Sequence, residues 1–517
     1  MKPSKYFLIL FILSITVFSV FSQADRPFRI EMQAPEEAYP YDVINLGAKG
    51  VIVFFENQIL SKSQASWRFV YYDAFFKKKW YTDVVLNRFM EPKIDYSDSN
   101  VVALIFKYEG KKKVSNVHQL VSIRMKDTLK TIISLPIDKD LTPNVLYADE
   151  DRALFSFYDD NNESFYQLKY SDSLPKKINF PEVKNSYVQF VTPIAGSTQL
   201  LVGVRNDISK KENKIVLYRI SVDGLIVSNL ELPSDASVFF NRCKIIQLNN
   251  DSMLVLGSYV LKNSIPLGFF TPANEVNTGV FSVLIPSLTK TDSLHLYNFS
   301  YNKMIFKYLS TREQEKMKKK VELDNPKDQS LSLNLQLLNH PIIKTDSSVI
   351  FISEAYYPEF RTEENVNYDF NGRPFPNNRT YFEGYRYTNA IVCGFDYSGK
   401  LIWDNNFSLN EMLSYDLKPR VSAYADSNNV LMAYSFEGNV VTMAVNGYNV
   451  VQNIERTRIE PMNSSDFIVK TEKSQVDYWY KNYFLSYGYQ KIKSSGKGAK
   501  NRDNAFFLNK MIYKNVD

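Results

Sequence analysis

Three stretches of this chain open in the same way: Tyr96-Ser97-Asp98-Ser99-Asn100, Tyr147-Ala148-Asp149-Glu150-Asp151 and Tyr424-Ala425-Asp426-Ser427-Asn428. Each passes at once into an apolar run, VVALIFKY (101–108), RALFSFY (152–158) and NVLMAYSF (429–436). Fainter copies read GVIVFFEN (50–57), QLLVGVRN (199–206), SMLVLGSYV (252–260), SVIFISEAY (348–356) and YFLSYGY (483–489), which makes eight runs. They are dense in β-branched and aromatic residues and are bounded by polar turn clusters. That reads as buried strand, not helix.

A second strand follows each run and often ends in Asp or Asn, as at Asp73, Asp127, Asp172, Asp223, Asp396 and Asn446. A third strand comes after that turn, as in KTIISLP (130–136) and LIVSNLELP (225–233). Asp and Asn suit these turns because they bond their own backbone, and Gly because it takes positive φ. Most runs start about 50 residues apart, with two longer gaps. A sheet unit repeating at this spacing with no helix between copies predicts an all-β chain, a β-propeller of seven or eight four-stranded blades. In that reading each apolar run is the first, central strand of its blade. Two β-sandwiches in tandem are the competing architecture. Closure separates the two, and PFRIEMQ (27–33) alternates as a half-buried outer strand should, so it is expected to pair with NAFFLNKMIYK (504–514).

Gly399-Lys400-Leu401-Ile402-Trp403 resembles the Gly-x-Leu-x-Trp turn and strand of quinoprotein-like propeller repeats. It covers five residues, and the other copies lack the tryptophan. The resemblance implies the fold and no quinone; no cofactor is expected.

The chain has 517 residues, 62 basic and 56 acidic side chains, a net charge of +6, 15% aromatics, 3 His and 2 Cys. That charge is too diluted to argue for nucleic acid, and two cysteines exclude a disulfide-stapled mini-domain. Lys2 and Lys5, an apolar stretch from Tyr6 to Phe21, and Val20-Phe21-Ser22 before Gln23 read as a secretory signal peptide over 1–22. An uncleaved anchor is the alternative. The mature chain, 23–517, is then exported with no transmembrane span, to the periplasm, the cell surface or the medium. With its Lys, Asn, Tyr and Phe bias it resembles exported proteins of the Bacteroidetes.

The two long gaps are read as insertions, about 300–345 and 357–388. The first holds a helix: Ser310-x-x-Glu313 is a capping box, and TREQEKMKKKVEL follows it. The second, YPEFRTEENVNYDFNGRPFPNNRTYFEGYRYT, interleaves aromatic planes with arginine forks. Its candidate binding residues are Tyr357, Phe360, Arg361, Arg373, Phe375, Arg379, Tyr381, Tyr385 and Arg386, a composition suited to protein recognition or to stacking on sugar rings.

No nucleophile elbow, phosphate loop, dinucleotide fingerprint or zinc spacing occurs, so neither catalytic nor metal-binding residues are assigned. Cys243 and Cys393 are expected to be free, buried thiols. The expected function is an exported binding or scaffold protein that recognises a protein or glycan ligand. The alternative is a propeller carbohydrate-active enzyme using carboxylates, with Glu354 and Glu383 the first to consider. Carboxylates converging at the mouth of the channel would favour the second reading, and an aromatic and arginine patch alone would favour the first.

Overall fold

The computed structural model describes residues 29–513 apart from short internal stretches, of which the longest is 267–276. The proposed leader lies outside the described residues.

The repeated Tyr/Asp opening turns out to be a turn. In three copies one carboxylate oxygen caps two backbone N–H groups. Asp98 takes those of Asn100 and Val101 at 2.6 and 2.8 Å, Asp149 those of Asp151 and Arg152, and Asp426 those of Asn428 and Asn429. Each turn reverses a strand that precedes it, so the apolar runs are second strands. This corrects their assignment as first strands. The true first strands are less continuously apolar, such as Asp42–Asn45 (DVIN), Met90–Ser97 (MEPKIDYS) and Thr142–Ala148 (TPNVLYA). They escape a hydrophobic reading because they border the central channel.

Eight antiparallel sheets result, each with a path of four strands, in chain order in all but the last. We number the blades one to eight from residue 42 onward. Their first strands touch one another in sequence around the molecule, and the first strand of blade eight, Phe467–Tyr480, meets the turn at 47–49 of blade one. Side chains tie these inner strands together. Ser97 donates to Asn45 O, Asn45 to Tyr478 O (2.7 Å), Asn144 to Val188 O (3.1 Å) and Asn339 to Arg242 O (3.2 Å).

Inside the ring the second strands are apolar because both of their faces are buried, each against a different neighbouring blade. In Val101–Tyr108, Val102, Leu104 and Phe106 join the core shared with blade one, while Val101, Ala103 and Ile105 join the core shared with blade three. Period-two alternation thus splits one strand between two interfaces. Eight such cores exist, one between each pair of neighbours and including blades eight and one. Eight interfaces for eight sheets is a closed ring; an open row would have seven. The architecture is an eight-bladed propeller, with neither sandwich alternative nor seven blades.

The outermost strand of blade eight comes from the other end of the chain. Arg29–Ala34 pairs antiparallel with Arg502–Ile512, Arg29 facing Asn509 and Ala34 facing Asn504. Ile30 and Met32 pack into the core between blades eight and one. On the other face Arg29 donates to Gln490 Oε1 (2.6 Å) and lies over the Phe507 ring.

The helix forms as read, over Thr311–Leu323, with Ser310 and Glu313 bonding reciprocally. It lies in the connection from blade five to blade six. Residues 336–339 and 343–344, placed by the sequence inside this insertion, are instead the interrupted inner strand of blade six. Among the described residues no helix is long and apolar enough to cross a membrane. Both cysteines are buried and free, and burial pushes both thiols up.

Candidate functional site

Blade six is built differently from the rest. Its second and third strands, Val349–Tyr368 and Pro374–Phe395, stay paired over their whole length, from Val349 opposite Phe395 to Tyr368 opposite Pro374. The first strand stops pairing at Tyr356, and the fourth stops at Tyr385 opposite Ser414. Beyond that point a two-stranded ribbon continues alone for about 30 Å at the usual strand rise. Gly384 sits where the ribbon leaves the fourth strand. Its φ is +139°, and a Cβ there would lie 2.9 Å from the Ser414 carbonyl oxygen. A bulge on the third strand follows, with Glu383 as the extra residue between Glu359–Gly384 and Phe360–Phe382.

An aromatic ladder runs up the ribbon. Tyr387 meets Tyr356 at 6.0 Å between ring centroids, Tyr356 meets Tyr385 at 5.8 Å, Tyr385 meets Phe382 at 5.0 Å, and Phe382 meets Phe360 at 5.6 Å. It starts at the fully buried Tyr387 and ends at Phe360, 54% exposed. Of the residues singled out from sequence, Phe360 and Tyr385 stand on this ladder. Tyr357 pairs in register with Arg386, whose guanidinium donates to Glu359 at 2.5 Å. Arg361 stands opposite Tyr381 with Glu383 3.9 Å away, and Arg379 stands opposite Glu363. Arg373 is exposed near the tip, and Phe375 pairs in register with Asn367. Tyr356, Phe382 and Tyr387 complete the ladder but were not among the candidates. The bulges decide which rings meet, and no sequence periodicity reports a bulge.

Glu354 and Glu383 do not converge. Glu383 belongs to the ribbon. Glu354 is fully buried between blades six and seven, where its Oε1 accepts from the backbone N–H groups of Arg420 (2.7 Å) and Val421 (2.6 Å) and lies 2.6 Å from His340 Nε2. Tyr387 OH donates to Lys418 O (2.8 Å) and accepts from Lys418 N (3.1 Å). The buried foot of the ribbon therefore fixes the 415–421 loop, which carries Lys418.

Lys418 faces carboxylates in the channel. Asp42, Asp95 and Asp477 stand on the inner strands of blades one, two and eight, Asp42 at the start of its strand and the other two near the ends of theirs. Asp42 and Asp95 are exposed by accessible area and Asp477 is half-buried, yet protein surrounds all three, as it does channel side chains. Burial raises all three above the usual carboxylate range, Asp95 and Asp477 to about 6. The mutual repulsion of the carboxylates adds to the rise at Asp95, and Lys418 opposes it at all three positions. Burial likewise pulls the Lys418 ammonium down. Tyr487 OH donates to Asp477 Oδ2 at 3.0 Å. Asp42 and Asp477 lie hundreds of residues apart in sequence, so nothing local announces this cluster.

The remaining polar motifs are structural. Glu163, at the end of the Asp159-x-Asn161-x-Glu163 tip, accepts from Asn144 (2.9 Å) and Val188 N (2.8 Å) and locks blade three to blade four. His118 is buried, with Nδ1 3.4 Å from Ile137 O, and burial lowers it to about 4. Among the described residues no group of three or more His, Cys, Asp or Glu side chains is placed to hold a metal ion.

No protein-family model matches the sequence, and no curated protein matches it either. Solved structures do. A polysaccharide lyase, Uly1, is similar over 82% of this chain and 90% of its own, at 9% identity and TM-score 0.39. The β-propeller domain of the Trilobed protease from Pyrococcus furiosus is similar over 83% of this chain and 97% of its own, at 11% identity and TM-score 0.34. A post-proline cleaving enzyme from Rickettsia typhi is similar over 88% of this chain and 58% of its own, at 11% identity and TM-score 0.35.

Proposed function

We propose that the protein is an exported recognition module whose ribbon, 358–384, captures a saccharide chain, with a protein ligand the other candidate. Export rests on the leader read in residues 1–22. One observation carries the binding role: an aromatic ladder rooted in the core and exposed at its far end. Exposed rings held rigidly by their neighbours lose little entropy on stacking against a ligand. In a four-stranded blade the turn between strands two and three opens on the same side as the connection to the next blade. The ribbon therefore rises beside the loop that carries Lys418 over the channel.

The test replaces 358–384 with a short Gly/Ser turn and compares the two proteins on a glycan array and in pull-downs from the envelope fraction. Melting should be unchanged and capture lost. Capture that survives the replacement places the binding surface elsewhere.

The convergent channel carboxylates support a second reading, a carbohydrate-active enzyme. Two groups titrating near pH 6 beside a tyrosine hydroxyl are suited to general acid–base work. A polysaccharide panel scored for new reducing or unsaturated ends tests it. Activity abolished by Asp95→Asn or Asp477→Asn supports the enzyme, and no product from any polysaccharide removes it.

A further inference from the structure

The channel is electrically two-sided. Opposite blades eight, one and two with their carboxylates stands blade five, whose inner strand Val238–Gln247 carries Arg242 and Lys244. Pairing in this strand jumps from Phe240–Tyr259 to Cys243–Gly257, so Asn241 and Arg242 bulge out of the ladder. Gly257 makes the bulge feasible, since a Cβ there would lie 2.4 Å from the Arg242 carbonyl oxygen. The flanks are pinned. Asn339 donates to Arg242 O, and Gln189 Oε1 accepts from Cys243 N at 3.3 Å. The backbone beneath the two cations is thus hydrogen-bonded to both neighbouring blades.

Arg242 is exposed and Lys244 half-buried. Among the described residues neither Arg242 nor Lys244 has an ion pair or a side-chain hydrogen bond, whereas the neighbouring Arg205 is paired with Asp207 at 2.9 Å. Both line a cavity of about 630 Å³, shared with Asp159 and Arg205, that reaches Asn144 and Glu163 on one side and Pro419, next to Lys418, on the other. Both Glu163 oxygens are already bonded to Asn144 and Val188. Burial, and behind it the charge of Arg242, pulls the Lys244 ammonium below its ordinary value. A cavity of this size suits one sugar-sized ligand.

We infer that Arg242 and Lys244 form a binding site for an anionic group, a ring carboxylate or a sulfate ester, on the saccharide that the ribbon recruits. The guanidinium fork matches either oxyanion, and the ammonium supplies a second point charge. The site itself stands on the channel wall; only the saccharide to which the anion belongs rests on the reading above.

The folded protein is titrated with glucuronate, inorganic sulfate and, as a neutral control, glucose, followed by saturation-transfer NMR. At least one anion should bind saturably and glucose should not. Arg242→Gln with Lys244→Gln should weaken binding about tenfold or more, the typical worth of a charge-assisted contact. A response to glucuronate points to a carboxylate, and a response to sulfate alone points to a sulfate ester. Should the double variant melt early, protection of Lys244 from an amine-acetylating reagent by the anion gives the same answer on the unaltered protein. Absence of binding by either anion, or equal binding by the double variant, overturns the site. Repeating the titration on the ribbon replacement separates the two claims. Anion binding that persists while glycan capture is unaffected sinks the recruitment reading alone, and lost anion binding in a protein that still captures glycan sinks the site.

Discussion

The closing blade and the ribbon of blade six share a composition but differ in their surroundings. Both are long antiparallel strand sets crowded with aromatic residues. In blade eight a strand from the far end of the chain covers one edge, and blade one covers a face. Trp479 is consequently buried, its indole N–H donating to Gly50 O at 3.1 Å, and Lys510 sits 3.9 Å from the Tyr483 ring centroid. Phe506 packs against Tyr41 and Tyr489 at 5.1 and 5.0 Å. Beyond Gly384, by contrast, no strand among the described residues extends the ribbon sheet on either edge. The same kind of side chain becomes core in one place and a displayed surface in the other. What differs is whether a third strand arrives.

Taking that strand away from blade eight should produce the largest effect. Deleting 29–34 exposes the edge of Arg502–Ile512 and uncovers the core that holds Ile30, Met32 and Ala34. A loss of about 3–5 kcal/mol is expected from the burial forgone, together with self-association through the open edge. Urea unfolding and gel filtration measure both. A truncated protein with the original midpoint that stays monomeric would show that closure does not hold the ring. Phe506→Ala, which empties a site in the same core without opening an edge, should cost about 3 kcal/mol and leave the protein monomeric. If its cost matched that of the deletion, the edge itself would contribute nothing.

The contrast also accounts for what could be read from residues alone. The Asp98, Asp149 and Asp426 turns and the apolar second strands were legible because each is a local device: an Asx cap, or a strand buried on both faces. The inner strands were not. DVIN at 42–45 has a single fully buried residue, Ile44, because its other side chains meet the channel or the turn. That loss shifted the blade phase by one strand without changing the blade spacing. The ribbon's aromatic content was visible, but its ladder depends on the bulge at Glu383. The channel cluster brings together Asp42, Asp95, Lys418 and Asp477, and only ring closure makes them neighbours.

The channel offers a finer test, with a sign set by pH. Asp477 holds its proton up to about pH 6 in the folded protein, against an ordinary value of 3.8. Between those values the folded state binds a proton that the unfolded chain has released. This group's contribution to stability therefore falls as pH rises from about 4 to 6, and its cost is complete above that window. Asp477→Asn removes the charge while keeping an acceptor for Tyr487. The variant should melt about 2 °C above the original protein near pH 8 and level with it below about pH 4. A uniform shift at every pH would mean that the gain comes from packing and not from the buried charge.

The smallest effect belongs to the ribbon, and its smallness is informative. Phe360 and Phe382 touch each other and are 54% and 41% exposed, so little apolar area separates their folded and unfolded environments. Replacing both with Ser should move the melting temperature by no more than about 1 °C, as for most surface changes. Phe506 in the closing blade differs from them in nothing but its cover, so the gap between the two measurements isolates what that cover contributes. Rings that give the fold so little are held in a ladder for another reason, and the same double variant should then lose glycan or partner capture. A substantial drop in melting temperature would instead make the ladder a structural brace for the 415–421 loop, through Tyr356, Tyr385 and Tyr387 at its foot, and the displayed surface would lose its claim to function.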